Sequence, residues 1–267
     1  MMEVFGVIGY PVGHSLSPVM HNAAFRETGY NGIYVPFGVR PENFESAVEG
    51  LVALGIKGVN VTIPYKEKIT EFFRQEREVV EIGAANTVDL RKGICYNTDV
   101  DGILRALRNS NVDARDTNVL VVGAGGAAKA CVYALRESNR VSITNRTEER
   151  GREVAKKFGI EFVRSENLSA MKFDLVVNAT PLGMKGFPEK LPVPVEVLKS
   201  KPIVFDMIYN PPETPLIKKA ASYGCRTVSG VDMLVHQGAK AFEIFTGRKA
   251  PVDVMKKAVI SELKKLI

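Results

Sequence analysis

The sequence contains no tryptophan, three cysteines and three histidines, and these low numbers exclude several kinds of site. Three cysteines form an odd set, and no two of them have the spacing of metal ligands. They are therefore predicted to be reduced rather than part of a disulfide framework: Cys95, Cys131 and Cys225. The histidines are too few and too scattered for a zinc site. We predict no metal centre.

Long apolar runs and runs of one charge are also missing. No stretch approaches the roughly 18 apolar residues that indicate a transmembrane helix. The first residues lack a basic region followed by an apolar stretch, so no secretory signal is predicted and we expect a cytoplasmic protein without a membrane partner. The net charge of +6 would attract small anions. The basic residues of the chain are spread along helices and are not interleaved with aromatics, so no nucleic-acid partner is expected.

The chain is long enough for two α/β domains. The 267 residues are 45% hydrophobic and 25% charged, as in ordinary globular proteins. Strand and helix patterns alternate through both halves, which predicts a mainly parallel sheet in the first and a doubly wound sheet in the second. We place a substrate-binding catalytic domain at residues 1–99, completed by residues 235–267. A Rossmann dinucleotide-binding domain takes residues 100–234, and the C-terminal helices return to the first domain.

The first half begins with three predicted strands, at residues 4–9, 33–39 and 59–63. A helix over residues 17–28 would have Ser17 as its N-cap and Pro18 in its first turn. A second helix would start at Pro41, with one apolar face: Phe44, Val48, Leu51 and Leu54. A hairpin turning at Lys92-Gly93 and a helix over residues 99–109 follow.

The second half has a stronger strand–helix alternation. Its predicted strands cover residues 117–123, 141–144, 175–177, 203–205 and 227–228, with a short strand near Phe162. Predicted helices cover residues 126–137 and a segment ending at Phe158, and residues 233–267 are predicted to form two more.

A glycine-rich loop between the first strand and helix of this second half predicts the dinucleotide site. Glycines allow a tight turn and close approach to a pyrophosphate, and the helix N-terminus adds N–H donors. This short motif indicates a dinucleotide site because it lies between a predicted strand and a predicted helix. The predicted cofactor contacts here are Gly123, Ala124, Gly125, Gly126 and Ala127. A glycine-rich turn that binds nothing is the alternative.

The residues after the second strand of this half favour NADP over NAD. An NAD site usually has a carboxylate there to accept from the ribose 2′-hydroxyl. This chain has Asn145-Arg146-Thr147 and then Arg150, about 20 residues after the glycines. A guanidinium binds a 2′-phosphate bidentately, whereas a carboxylate would repel it. The alternative is that Arg146 is only a surface charge.

Four polar clusters in the first half lie at strand ends or turns, where α/β proteins place their chemistry. They offer hydroxyls, amides, one ammonium and one carboxylate, which suits a small, polyhydroxylated, anionic ligand. No Ser–His–Asp or Cys–His arrangement indicates acyl transfer. Each cluster also has a structural interpretation, since Ser17 and Asp99 could be helix caps, Asn86 a turn residue and Lys66 a solvated side chain.

In this order, the clusters and the later motifs resemble shikimate dehydrogenases over nearly the whole chain. The motifs that carry the resemblance are Ser15-Leu16-Ser17-Pro18, residues 60–66, residues 83–87, Asn97-Thr98-Asp99, the glycine-rich loop, Asn145-Arg146-Thr147, residues 178–181, residues 206–211 and residues 230–237. Small departures occur at Tyr65, Ala85 and Lys129, and none removes a catalytic group.

The resemblance implies a role for each matching residue. Lys66 and Asp99 would be the catalytic pair at the reacting hydroxyl, and Ser15 and Ser17 would hold the substrate carboxylate. The remaining implied contacts are Tyr209 at the same carboxylate, Thr62 near the ring, Asn86 and Gln237 at the neighbouring hydroxyls, and Met207 and Gly230 at the nicotinamide.

The implied activity is reversible NADPH-dependent reduction of 3-dehydroshikimate to shikimate, in the pathway to chorismate and aromatic amino acids. Lys66 would exchange the proton while the nicotinamide carries the hydride. One alternative is a quinate/shikimate dehydrogenase that uses NAD, and another is a non-catalytic dinucleotide-sensing protein. We expect a monomer or homodimer.

Overall fold

A computed structural model describes residues 1–266 and divides the chain into two compact units. The first unit contains Met1–Gly102 and Leu234–Leu266, and the second contains Ile103–Met233. Each unit is built on a six-stranded sheet. The first unit therefore contains all of the last helix and all but the first turn of the helix before it.

The strands and helices are numbered along the chain. The strands are β1 (Glu3–Gly9), β2 (Gly32–Gly38), β3 (Gly58–Val61), β4 (Arg74–Gln75), β5 (Thr87–Asp89), β6 (Ile94–Tyr96), β7 (Asn118–Val122), β8 (Arg140–Thr144), β9 (Glu161–Phe162), β10 (Leu175–Asn178), β11 (Ile203–Asp206) and β12 (Thr227–Ser229). The helices are α1 (Ser17–Glu27), α2 (Phe44–Ala53), α3 (Arg77–Ile82), α4 (Asp99–Asn109), α5 (Gly126–Leu135), α6 (Glu148–Phe158), α7 (Val195–Leu198), α8 (Pro215–Ser222), α9 (Gly230–Thr246) and α10 (Val252–Leu266).

The sheet of the first unit is mixed. Its strand order is β2-β1-β3-β5-β6-β4, with β1 parallel to both β2 and β3. The predicted hairpin is confirmed as β5 and β6, which pair antiparallel, and β5 also runs antiparallel to β3. The carboxyl ends of β1 and β3 therefore share one edge of the sheet with the amino end of β5. That edge carries the polar clusters.

Two details of the predicted helices are wrong. Ser17 is not the N-cap of α1: Leu16 occupies that position, and it is the Ser15 hydroxyl that accepts from the Ser17 amide at 3.3 Å. Leu54 does not belong to the apolar face of α2, because the helix ends at Ala53 and the Leu54 side chain is 80% exposed. The helix period placed Leu54 on that face, but a residue beyond the last turn no longer follows the period.

The second unit is a doubly wound sheet, as predicted. Its strand order is β12-β11-β10-β7-β8-β9, and every pairing is parallel. The central strand β10 is fully buried, which is typical of parallel sheets covered on both faces by helices. Strand order reverses between β7 and β10, and ligands of such sheets bind at the carboxyl ends beside this switch point.

Of the described residues, none forms a helix that is both long enough and apolar enough to cross a bilayer. Within residues 1–266 we find no group of three or more His, Cys, Asp or Glu side chains arranged to hold a metal ion. The three cysteines are buried free thiols.

Candidate active site

A lysine and a carboxylate form the centre of the polar edge of the first unit. Lys66 follows β3, and Asp99 is the first residue of α4. The Lys66 Nζ atom donates to Asp99 Oδ2 at 2.6 Å, and the two side chains are 15% and 4% exposed. An ion pair this well covered is screened little by solvent. Because the ammonium keeps some exposure, it can reach a small ligand at this edge.

Asn86 holds the carboxylate from its other side. Its amide nitrogen donates to Asp99 Oδ1 at 2.9 Å and to Gln237 Oε1 at 3.3 Å. Its oxygen accepts from the Thr98 amide at 2.7 Å and from the hydroxyls of Thr87 and Thr98 at 3.1 Å each. With its donors and its acceptor both engaged, Asn86 orients Asp99 and Gln237 in addition to any contact it makes with a ligand.

The backbone fixes this arrangement. Strand pairing brings Val61 N to Asn86 O at 2.8 Å, and the amide of Ala85 donates to the carbonyl of Lys66 at 2.7 Å. The Asn97 oxygen accepts from the Asp99 amide at 3.1 Å, which forms a turn directly before α4. Residues that are far apart in the sequence therefore meet because β3 and β5 are neighbours.

Two predicted carboxylate contacts, Ser15 and Ser17, lie where the loop that leaves β1 enters α1. Ser15 is half-buried and Ser17 is buried, and the bond between them shapes the turn. Thr62 leaves β3 at the same edge, where its amide donates to Ile8 O at 2.9 Å. Gly9 leaves room for it, because a Cβ there would lie 2.3 Å from Thr62 Cγ2. These residues supply neutral donors at the edge where the Lys66–Asp99 pair lies.

Gln237 joins the same cluster from α9. Besides accepting from Asn86, its amide nitrogen donates to Leu234 O at 2.7 Å. Tyr209 belongs to the second unit, and its predicted contact with the substrate carboxylate remains a prediction.

In the second unit, the glycine-rich loop has the properties of a pyrophosphate site. Gly123 has φ of +116°, which favours glycine. Gly125 is the N-cap of α5 and supplies no side-chain cap, so the first N–H groups of this helix stay available to an anion. A Cβ on Gly125 would meet nothing within 4 Å. The space in front of the helix is therefore open, and the residues present fit a dinucleotide.

The end of β8 carries the residues predicted to select NADP. Arg146 and Thr147 are exposed, and Asn145 holds the turn by donating to Thr147 O at 2.8 Å. The neighbouring Glu148 is paired with Arg152 at 3.1 Å and Arg164 at 3.3 Å. Its charge is thus partly neutralised, and an anion at Arg146 experiences less repulsion.

Met207 and Gly230, predicted at the nicotinamide, are neighbours in the second unit. A Cβ on Gly230 would lie 2.4 Å from the Met207 carbonyl oxygen, so only glycine allows this approach. Met207 follows Asp206, a buried carboxylate that accepts from Asn178 at 3.0 Å, Thr214 at 2.6 Å and the Ile208 amide at 3.1 Å. Burial raises the Asp206 pKa, and these donors act in the opposite direction.

Sequence reasoning missed several residues that support the site. Thr87, Thr98 and Asn60 lie within the motifs, but the motifs give them no role. Tyr34 was not singled out at all. The only sequence signal for the first three is their presence in polar clusters at strand ends. For Tyr34 there is none, because its position depends on the pairing of β2 with β1 and of β1 with β3.

Three family models match the chain. The shikimate dehydrogenase substrate binding domain matches residues 7–88, the shikimate / quinate 5-dehydrogenase model matches residues 106–183, and the shikimate 5′-dehydrogenase C-terminal domain matches residues 230–260. Together they cover most of both units.

Individual relatives match over nearly their full length. A shikimate dehydrogenase (NADP(+)) from Archaeoglobus fulgidus is 48% identical over 98% of this chain and 100% of its own length. A solved shikimate dehydrogenase in complex with NADP+ has 40% identity and a TM-score of 0.91, covering 98% of this chain and 96% of the other. The Thermus thermophilus enzyme solved with NADP(H) and shikimate has 34% identity and a TM-score of 0.89, covering 97% and 99%.

Proposed function

This chain belongs to the shikimate dehydrogenase family, and from that membership we propose that it reversibly reduces 3-dehydroshikimate to shikimate with NADPH. The observation that carries the proposal is the Lys66–Asp99 pair, 2.6 Å apart at the polar edge of the first unit. The first unit would bind the substrate and the second the cofactor. The protein would act in the cytoplasm as a monomer or homodimer.

The substrate side is made of neutral donors around one ion pair. Ser15, Ser17 and Tyr209 hold the substrate carboxylate. Thr62, Asn86 and Gln237 contact the ring and its hydroxyls. Because the Lys66 ammonium is paired with Asp99, a hydroxyl or carbonyl oxygen at Lys66 meets a donor whose position is already fixed.

The proton step belongs to Lys66. In reduction, its ammonium donates a proton to the C3 oxygen as negative charge develops there. In oxidation, the neutral amine accepts that proton. Asp99 orients the amine and stabilises its charged form, and Asn86 fixes Asp99.

The cofactor side is held by the second unit. Residues 123–127 bind the pyrophosphate through backbone N–H groups, and Asn145, Arg146, Thr147 and Arg150 bind the 2′-phosphate. Met207 and Gly230 line the nicotinamide pocket. When bound, NADPH supplies the hydride, and NADP+ accepts it in the reverse direction.

A quinate dehydrogenase activity is the second candidate, because the family model that matches residues 106–183 covers both activities. Quinate carries an extra C1 hydroxyl beside the carboxylate, so Ser15 and Ser17 would have to accommodate it. A non-catalytic dinucleotide sensor would have no use for a covered lysine paired with a carboxylate, and we favour it least.

The deciding experiment measures absorbance at 340 nm for shikimate and quinate, each with NADP+ and NAD+. We expect turnover with shikimate and NADP+, and much slower turnover in the other three combinations. Comparable rates with quinate and NAD+ would establish the second candidate instead. No turnover in any combination, by protein that is folded and binds NADP+, would refute an enzymatic function.

A further inference from the structure

A chain of buried hydrogen bonds connects the core of the first unit to the Lys66–Asp99 pair. The Tyr34 hydroxyl on β2 donates to Asn60 Oδ1 at 2.7 Å. Asn60 Nδ2 donates to Thr87 Oγ1 at 2.9 Å and to Asn86 O at 3.2 Å. The Thr87 hydroxyl then donates to Asn86 Oδ1 at 3.1 Å. From Asn86 the chain continues to Asp99.

The hydrogen-bond donors define the direction of most links in the chain. Because the Tyr34 hydroxyl donates to the Asn60 oxygen, the Asn60 nitrogen must face Thr87. The Thr87 oxygen accepts from that nitrogen, so its proton is left for Asn86 Oδ1 at 3.1 Å or for Thr98 Oγ1 at 3.3 Å. The Thr98 amide also donates to Asn86 Oδ1, and with its oxygen engaged Asn86 presents its nitrogen to Asp99. All of these polar side chains are buried, where an amide that loses its partner has no water to replace it.

Tyr34 is held firmly at the outer end of this chain. Its backbone N–H donates to Asn22 Oδ1 at 2.9 Å, and its carbonyl accepts from Asn22 Nδ2 at 2.8 Å. Its ring stacks on His21, with centroids 4.3 Å apart and planes 3° apart. The side chain is 1% exposed. Such a residue cannot touch a substrate, but it can define the orientation of the Asn60 amide.

We propose that Tyr34 is a positioning residue for the reaction: through Asn60 and Thr87, its hydroxyl fixes the Asn86 amide that orients the Asp99 carboxylate. This inference rests on the proposed function of Lys66 and Asp99. Without the hydroxyl, the Asn60 oxygen loses its donor, and the effect reaches Asp99 through three further hydrogen bonds.

The test is the Tyr34→Phe variant, which keeps the ring and removes only the hydroxyl. We expect kcat for shikimate oxidation to fall about 3- to 10-fold, the range that one lost buried hydrogen bond supports. The KM for shikimate should change less than kcat, since Tyr34 itself makes no contact with the substrate. The pH profile of kcat should shift, because Asp99 is less well held. Tyr30→Phe is the matched control: it removes a hydroxyl that donates to Glu3, outside the chain.

Thr87→Val breaks the same chain at a different link and serves if Tyr34→Phe does not fold. It should reproduce the loss of kcat and the shifted pH profile. In the double variant the two losses should not add, because each breaks one pathway.

Additive losses, or a Thr87→Val variant with unchanged kcat and pH profile, would overturn the inference. So would equal kcat values for Tyr34→Phe and Tyr30→Phe, provided that the unmodified protein is active. If the unmodified protein itself fails to oxidise shikimate, the proposed function is what has failed.

Discussion

The buried His21 side chain makes the unfolding free energy of the first unit depend on pH, and the pKa of His21 gives the size of this dependence. Its ring is fully buried, and within residues 1–266 neither ring nitrogen has a hydrogen-bond partner. Its neighbours are Tyr34, Phe25 and Phe242. This apolar burial lowers the pKa of His21 to about 3, from an ordinary value of about 6.5. Substituting His21→Phe removes the titration and keeps an aromatic ring.

The direction of this pH dependence follows from the pKa of His21 in the unfolded chain and in the folded protein. The unfolded chain binds a proton at His21 below about pH 6.5, whereas the folded protein binds one only near pH 3. The contribution of neutral His21 is therefore complete above pH 6.5 and is lost as the pH falls. At about 1.4 kcal/mol per pH unit, His21 alone should cost about 3 kcal/mol of unfolding free energy between pH 7 and pH 4.

Urea unfolding followed by far-UV circular dichroism at pH 7, 5.5 and 4 measures this loss. We expect the unfolding free energy of His21→Phe to fall by about 3 kcal/mol less than that of the unmodified protein over this interval. Phe25→Leu, a change in the same cluster without a titrating group, should lower stability equally at every pH. Parallel pH curves for His21→Phe and the unmodified protein would refute the reasoning.

Three further predictions concern the cofactor site and Glu78. Arg146→Ala should raise the KM for NADPH about 10- to 100-fold while the KM for NADH changes little, since a charged phosphate contact is lost; an equal effect on both cofactors would contradict it. Gly125→Ala should raise the KM for NADPH without changing the urea midpoint, because its Cβ would enter open space in front of α5; an unchanged KM would place the pyrophosphate elsewhere. Burial raises the pKa of Glu78 to about 7, so its stabilising effect is present below about pH 4.5 and lost as the pH rises through 7. Glu78→Gln should therefore add about 1 kcal/mol at pH 8, after allowance for partial exposure, and nothing at pH 4; calorimetric Tm gains that are equal at both pH values would exclude this.

The fold was predictable where one local pattern dominates. Strands such as β10 consist mostly of a short apolar run, and the turn at Gly93 indicated the hairpin of β5 and β6. The short strand β4 is exposed on both residues and has no such pattern. Helix α8 was not predicted, although its Thr214 accepts from the Ile217 amide at 3.2 Å as an N-cap and Pro215 follows it. Propensity alone decides little in so short a helix.

The Lys66–Asp99 pair was predicted from the order of the motifs and the family that they resemble, and not from a local sequence pattern. Lys66 and Asp99 are 33 residues apart in the sequence, and only the pairing of β3 with β5 brings their segments together. Resemblance to a family supplied the Lys66–Asp99 pair in advance, without the strand pairing that forms it. Asn86 was expected to bind substrate hydroxyls, and the structure adds its bonds to Asp99 and Gln237. The role we propose for Tyr34 had no sequence signal, since it depends on strand register and on two intervening side chains.

The most direct test of the account is the kcat of Lys66→Ala for NADPH-dependent reduction of 3-dehydroshikimate. Loss of proton transfer should lower kcat about 10²- to 10⁴-fold, with a modest change in KM. The matched control is Lys68→Ala, which removes a lysine two residues away that pairs with Glu45 at 2.7 Å and is 42% exposed; it should retain normal kcat. A folded Lys66→Ala protein with near-normal kcat would contradict the central claim that this lysine exchanges the proton with the substrate.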